Sequence, residues 1–169
     1  MKAINYSDKK VFCVNTPTPK GDGVIVNISS IGICGTDLHL LEAGVHSPHI
    51  AGHEISGVTS NGQAVSIEPV IRCGECKCCK RGDYQLCQGD SAVLGIDKDG
   101  GMTEQMIVPE YCLVPLNQNI NLKDASLVEP LAVALHGLLR TDTKATDRVA
   151  VIGGGSVGLC TVAAAQYLG

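Results

Sequence analysis

Large aromatic rings are scarce in this sequence: 169 residues contain no Trp, one Phe and four Tyr. A core must therefore be assembled from Val, Ile, Leu and Ala, and a hydrophobic fraction of 44% supplies enough of them. The length allows one good-sized domain, or one domain and part of another. Basic runs are missing too. With a net charge of −4 the chain offers no cationic stripe to a phosphate backbone, which argues against a nucleic-acid partner. No apolar stretch approaches the roughly 20 residues that cross a bilayer, and the first residues carry no apolar signal segment. The expectation is a cytoplasmic protein with neither a membrane nor a nucleic-acid partner.

Cysteine is what the chain has in excess, nine in all. An odd number of thiols without a signal segment is a poor disulfide framework, whereas clustered thiols in a reducing compartment bind metal. Cys73, Cys76, Cys79 and Cys87 are spaced x2, x2, x7. Three thiolates then fit around one turn and the fourth returns from a loop, as a closed tetrahedral zinc site requires. An iron–sulfur cluster is the alternative for the same four residues. Lys77, Lys80 and Arg81 lie between them and offset thiolate charge; Cys78 reads as a bystander. Cys13, Cys112 and Cys160 stand in apolar settings and are expected in the core.

A second group of donors lies upstream, in Cys34-Gly35-Thr36-Asp37-Leu38-His39 and Gly52-His53-Glu54. Thiol, imidazole and carboxylate among glycines are the ligand types of a zinc that keeps one position open for chemistry. Blander readings stand beside this one. A cysteine on an apolar strand also serves as a small buried hydrophobe, and Thr36 and Asp37 suit the cap of a short helix. His46 and His49, in a loop with Pro48, read as surface residues, and His136 as a packed or capping one.

Periodicity divides the chain near residue 124. Before it, Gly23 to Ile31, Ile55 to Val58, Gln63 to Glu68, Met102 to Val108 and Cys112 to Pro115 predict short strands in a mainly β, barrel-like domain over 1–123. After it, Asp124 to Arg140 is Ala/Leu-rich with helical spacing, and Pro130 should start or kink that helix. Arg148 to Ile152 predicts a buried parallel strand, followed by Gly153-x-Gly155-x-x-Gly158 and an Ala-rich helical run. That glycine pattern after a strand and before a helix suits a dinucleotide pyrophosphate. Residues 124–169 therefore predict a linker helix and the start of a nucleotide-binding α/β domain, begun and not finished.

With these motifs in order, the sequence resembles the zinc-dependent medium-chain dehydrogenase/reductase family, whose alcohol, sorbitol and threonine dehydrogenases combine a GroES-like, partly open barrel with a Rossmann domain. The resemblance rests on Gly32-Ile-Cys34-Gly-Thr36-Asp37-Leu-His39, Gly52-His53-Glu54, the four-Cys lobe, Asp99-Gly100-Gly101, Val128-Glu129-Pro130 and the glycine fingerprint. It implies two zinc ions per chain. Cys34 and His53 would hold the catalytic one, with Glu54 and Glu129 as carboxylate ligands that exchange with each other or with water. Asp37 would fix the His53 tautomer, Thr36 would accept the substrate hydroxyl proton, and His39 would relay it to solvent. Gly153, Gly155 and Gly158 would carry NAD or NADP. Glu129 stands where classical alcohol dehydrogenases place a second Cys, which points to polyols or sugar-derived alcohols.

Two departures accompany the resemblance. Cys73 follows His53 by only 20 positions, where the family carries a longer insert. The nucleotide domain also stops early, so the chain is expected to hold zinc and to bind cofactor poorly. Any homo-oligomer would belong to a longer parent. The implied activity is oxidation of a small-molecule alcohol or polyol; the rival reading is a non-catalytic zinc-binding or interaction module.

Overall fold

Short β-branched runs, punctuated by Gly, Pro and Asn, fold into nine strands in a computed structural model that describes all residues, Met1–Gly169. They lie in one compact unit, Met1–Ser126; a second unit spans Leu127–Gly169. Strands β1 (Lys2–Ser7) and β2 (Lys10–Asn15) form an antiparallel hairpin. Its turn residues Asp8 and Lys9 have φ of 51° and 62°, the left-handed pair of a two-residue hairpin turn. The sequence gives that turn no glycine, which is why the hairpin was not an expected element.

The main sheet is built from β3 (Val24–Ile31), β4 (Ile55–Thr59), β5 (Ala64–Ile67), β8 (Gln105–Val108) and β9 (Leu113–Pro115). Its order is β8-β3-β4-β5-β9, antiparallel throughout. Val26, Ile55, Val65, Ile67, Leu94, Met106, Val108 and Cys112 close its core, an aliphatic cluster with no large ring. This is the mainly β, GroES-like architecture expected from the sequence. The short connection between β4 and β5 is a tight turn: Gly62 adopts φ of 86° and donates its N–H to Thr59 O at 2.9 Å.

Two insertions carry the candidate ligands. Helix α1 (Gly35–Glu42) follows β3 directly. A lobe containing α2 (Lys77–Lys80) hangs between the two-residue strands β6 (Val70–Ile71) and β7 (Ala92–Val93), which pair with each other.

In the second unit, α3 (Val128–Arg140) and α4 (Ser156–Leu168) pack through Ala134, Leu138, Cys160 and Ala164. Pro130 starts α3 rather than kinking it, since a residue in the first turn has no intrahelical acceptor for its missing N–H. Two expectations are corrected. Residues 148–152 do not form a buried strand: they pair with no other strand, and Ile152 is fully exposed. A parallel strand exists only through its ladder, and this segment has no neighbour to supply one. Cys13 is not core either. It lies exposed on β2, beside exposed Val11 and Phe12, because the hairpin covers only part of itself. Cys112 and Cys160 are buried as expected.

Candidate metal centres

The end of β3 hands over to α1 at Cys34, which is the helix N-cap. Its backbone is extended, its thiol accepts from Thr36 N–H at 3.5 Å, and its own N–H donates to Asp37 Oδ2 at 2.9 Å. A reciprocal capping box thus fixes where the thiol sits. The Gly52 turn delivers His53 and Glu54 to the same place as β4 begins. One ligand atom from each of Cys34, His53 and Glu54 lies within 4.8 Å of the others.

His53 and Glu54 are buried, 7% and 6% exposed. Burial pushes the Glu54 carboxyl above its usual range; His53 pulls it back, and Asp37 adds to the rise. His53 Nδ1 is buried with no hydrogen-bond partner, and so is Asp37 Oδ1. A buried imidazole nitrogen without a partner costs free energy on the order of 1–3 kcal/mol. A convergent thiol, imidazole and carboxylate, buried and with polar atoms left unpartnered, is a donor set that zinc takes, so the residues present fit the metal. The expected hydrogen bond in which the His53 ring N–H donates to Asp37 is not made: one Asp37 oxygen accepts from the Cys34 N–H and the other has no partner.

Glycines make this convergence possible. A Cβ at position 32 would run into Glu54 Oε2, so only glycine leaves room for that carboxylate. Gly52 adopts φ of 90°, the left-handed region, to turn the chain into His53. Asp99-Gly100-Gly101 supports that turn from outside. Gly100 N–H donates to Ile50 O at 2.8 Å, Gly101 N–H to Gly52 O at 2.9 Å, and Asp99 Oδ1 accepts from Ile50 N–H at 3.0 Å. A methyl on Gly100 would collide with Gly52 O. His49 lies 3.7 Å from Asp99 and His46 bonds Ser7 at 2.8 Å, so both histidines fasten the loop and join neither cluster.

The four-thiol set is fully assembled. Cys73, Cys76, Cys79 and Cys87 bring their sulfurs within 4.8 Å of one another, and Cys78 lies outside the set, buried near Arg81. Backbone N–H groups of Cys79 and Gln88 lower the Cys76 thiol to about 6, and the N–H groups aimed at Cys87 lower it as well. Desolvation pushes Cys79 up to about 12. Unequal thiols packed this closely share protons until a cation replaces them.

Arg72, immediately before Cys73, was not among the expected functional residues. Its guanidinium lies 4.1 Å from the ring centre of Tyr84 and 4.5 Å from that of Tyr111, and 3.6 Å from Glu68. Tyr111 also exchanges hydrogen bonds with the Arg72 backbone, at 3.1 and 3.2 Å. No sequence signal pointed to it, since two of the four tyrosines meet this arginine only in the fold.

Thr36 is half-buried in the first turn of α1, and His39 exposed in its last. Glu129 lies in the first turn of α3, in the second unit. The fingerprint glycines are formed as a turn into α4. Gly153 adopts φ of 108°, Gly155 is the N-cap, and a Cβ on Gly158 would meet Gly153 O. Nothing lies within 4 Å of a Cβ at Gly153, Gly154 or Gly155, so the backbone there is open to a ligand.

Comparison with known proteins fits this geometry. Residues 20–118 match the family model of the alcohol dehydrogenase GroES-like domain. The chain is 33% identical over its whole length to 2-dehydro-3-deoxy-L-galactonate 5-dehydrogenase of Pseudoalteromonas atlantica, covering 54% of it. With D-xylulose reductase A of Aspergillus oryzae the identity is 36%, over 95% of the chain and 50% of the relative. The crystal structure of galactitol-1-phosphate dehydrogenase from Escherichia coli superimposes with a TM-score of 0.91 at 30% identity, covering all of this chain and 53% of that one. The chain spans about half the length of the curated relatives it matches.

Proposed function

Because the chain belongs to the zinc-dependent medium-chain dehydrogenase/reductase family, we propose that it is the zinc-bearing catalytic portion of an NAD(P)-dependent dehydrogenase acting on a secondary alcohol, polyol or sugar-derived substrate. One observation carries this reading: a thiol, an imidazole and a carboxylate converge within 4.8 Å in a chain that also holds four thiols in a closed set. An open donor set and a closed one differ in what they do; the first leaves a position for substrate and the second does not.

Cys34, His53 and Glu54 hold the catalytic zinc in this reading, and Glu129, from its Val-Glu-Pro-Leu motif, is an exchangeable carboxylate for it. When bound, zinc acts as a Lewis acid that lowers the pKa of a substrate hydroxyl. Thr36 receives that hydroxyl's proton, and His39, three residues further along α1 and exposed, passes it to water. Asp37 anchors the Cys34 backbone so that the thiol stays aimed. Cys73, Cys76, Cys79 and Cys87 take the structural zinc. The open backbone at Gly153 to Gly155, ahead of α4, suits a dinucleotide pyrophosphate. A preference for polyols and sugar acids would match the relatives named for 2-dehydro-3-deoxy-L-galactonate and D-xylulose.

The test is metal content per chain, paired with NAD(H) and NADP(H) titration and a panel of secondary alcohols, polyols and sugar acids. Two zincs, one lost on Cys34→Ser and the other on Cys73→Ser, are expected. A single zinc that only Cys73→Ser removes would overturn the enzyme reading in favour of a zinc-binding module.

A further inference from the structure

Hydrogen bonding in the hairpin leaves one strand edge open. A two-residue turn makes Ser7 and Lys10 the first bonded pair, and such pairs recur at every second residue of an antiparallel ladder. Met1 and Thr16 at the far end keep that alternation, with the Thr16 N–H donating to Met1 O at 2.9 Å. Residues between the bonded pairs turn their backbone groups away from the hairpin. On β1 those outward groups are used: Ile4 N–H donates to Met102 O at 2.8 Å, and Ile4 O accepts from Ala51 N–H at 3.1 Å. On β2 the outward residues are Val11, Cys13 and Asn15, and no backbone group meets them.

Natural sheets keep free edges short or end them with proline. The edges of the main sheet follow that rule: β8 has four residues, and β9 has three and ends in Pro115. Strand β2 has six, and it carries Val11 at 59% exposure and Phe12, the one Phe of the chain, at 43%. We propose that β2 is a docking edge for a second copy of this chain, paired antiparallel about a twofold axis at Cys13. The register follows from the strand itself. Outward residues can bond only to outward residues, so Val11, Cys13 and Asn15 must face one another. With Cys13 opposite Cys13, Val11 faces Asn15, and every outward residue of the strand enters a bonded pair. Phe12 then meets Val14 on both sides of the axis, in the non-bonded pairs whose side chains approach most closely. Lys10 falls opposite Thr16, so no like charges are opposed. Setting Phe12 opposite Phe12 instead would leave Asn15 facing the turn and Lys10 against Val14. A single strand pair falls short of the roughly 1,200 Å² that stable complexes bury, so the association is weak and reversible.

The inference stands apart from the metal sites, and its test uses the full chain. In sedimentation velocity over a rising concentration series, the weight-average mass should climb from one chain toward two. Cys13→Pro removes the N–H that faces away from β1, and should hold the mass at one chain with an unchanged far-ultraviolet circular dichroism spectrum. Cα atoms of a bonded antiparallel pair lie about 5.5 Å apart, within disulfide reach. Oxidation with diamide should therefore link Cys13, the exposed cysteine of the nine, into a covalent dimer that Cys13→Ser abolishes. In the Cys13→Ser background, Val11→Cys and Asn15→Cys should link when mixed, and neither should link alone. Should Cys13→Pro disturb the hairpin, that mixture decides by itself. A chain that stays monomeric and unlinked would overturn the proposal. So would a dimer that survives Cys13→Pro, which would place the contact elsewhere, or linking as strong in each single variant as in the mixture, which would reveal chance collision.

Discussion

A single methyl group decides whether the open donor set exists. Gly32 leaves no room for a Cβ because Glu54 Oε2 occupies the space. Gly32→Ala should therefore displace Glu54 and drop the zinc count from two to one, with the Cys73 to Cys87 set intact; metal analysis of the purified variant checks this. Glu68 gives a second residue-scale prediction, in pH. Burial raises its carboxyl above the usual range, with Arg72 opposing. An acid whose folded pKa is raised favours the native state below its unfolded value, about 4.3, and loses that contribution as pH climbs through the folded value. Relative to Glu68→Gln, the wild type should accordingly gain stability as pH falls from 7 to 4, read as the difference in urea midpoints. A constant difference would mean that Glu68 does not titrate differently in the two states. At this scale the convergence of the candidate donors was legible, because Cys, His and Glu have few roles at such spacings. The true partner of Asp37 was not. Its motif is compatible with both a helix cap and a histidine contact, and only the backbone position of Cys34 selects the cap.

Arg72 is an element-scale fastening. The lobe that carries α2 joins the body only through the short pair β6 and β7. Arg72 sits at its root against two rings, Tyr84 from inside the lobe and Tyr111 from the connection between β8 and β9. Each cation–π contact contributes roughly 0.5–2 kcal/mol, more as water is excluded. Arg72→Ala should increase amide hydrogen exchange across residues 73–89 several-fold while the four sulfurs keep their zinc. Zinc loss in that variant would instead make Arg72 part of the site's assembly. The Cys spacing announced the lobe, since three thiols at intervals of two residues have one natural geometry. The clamp stayed invisible, because Tyr84 and Tyr111 lie 12 and 39 positions from Arg72 and no local pattern links them. The strand over 148–152 failed in the opposite way: its composition is right for a parallel strand, but pairing is a property of neighbours and not of the segment.

At the scale of the molecule, the two units differ in what stabilises them. The first encloses an aliphatic core under a five-stranded sheet and contains both candidate donor clusters. The second rests on two helices joined by a small core of Ala134, Leu138, Cys160 and Ala164, with Ile152, Leu159 and Tyr167 exposed. Helix pairs of this size bury too little surface to resist local opening. Heating should therefore release the helical signal of the second unit below the temperature at which the sheet melts, and zinc should raise the later transition only. A chain ending at Ser126 sharpens the point, since it keeps Cys34, His53, Glu54 and the four lobe cysteines but lacks Glu129. Two zincs on that shorter chain would make the three-residue set sufficient. Retention of the four-thiolate zinc alone would make Glu129 an obligatory ligand, and the comparison with Glu129→Gln in the full chain would show whether the carboxylate itself is what the metal needs.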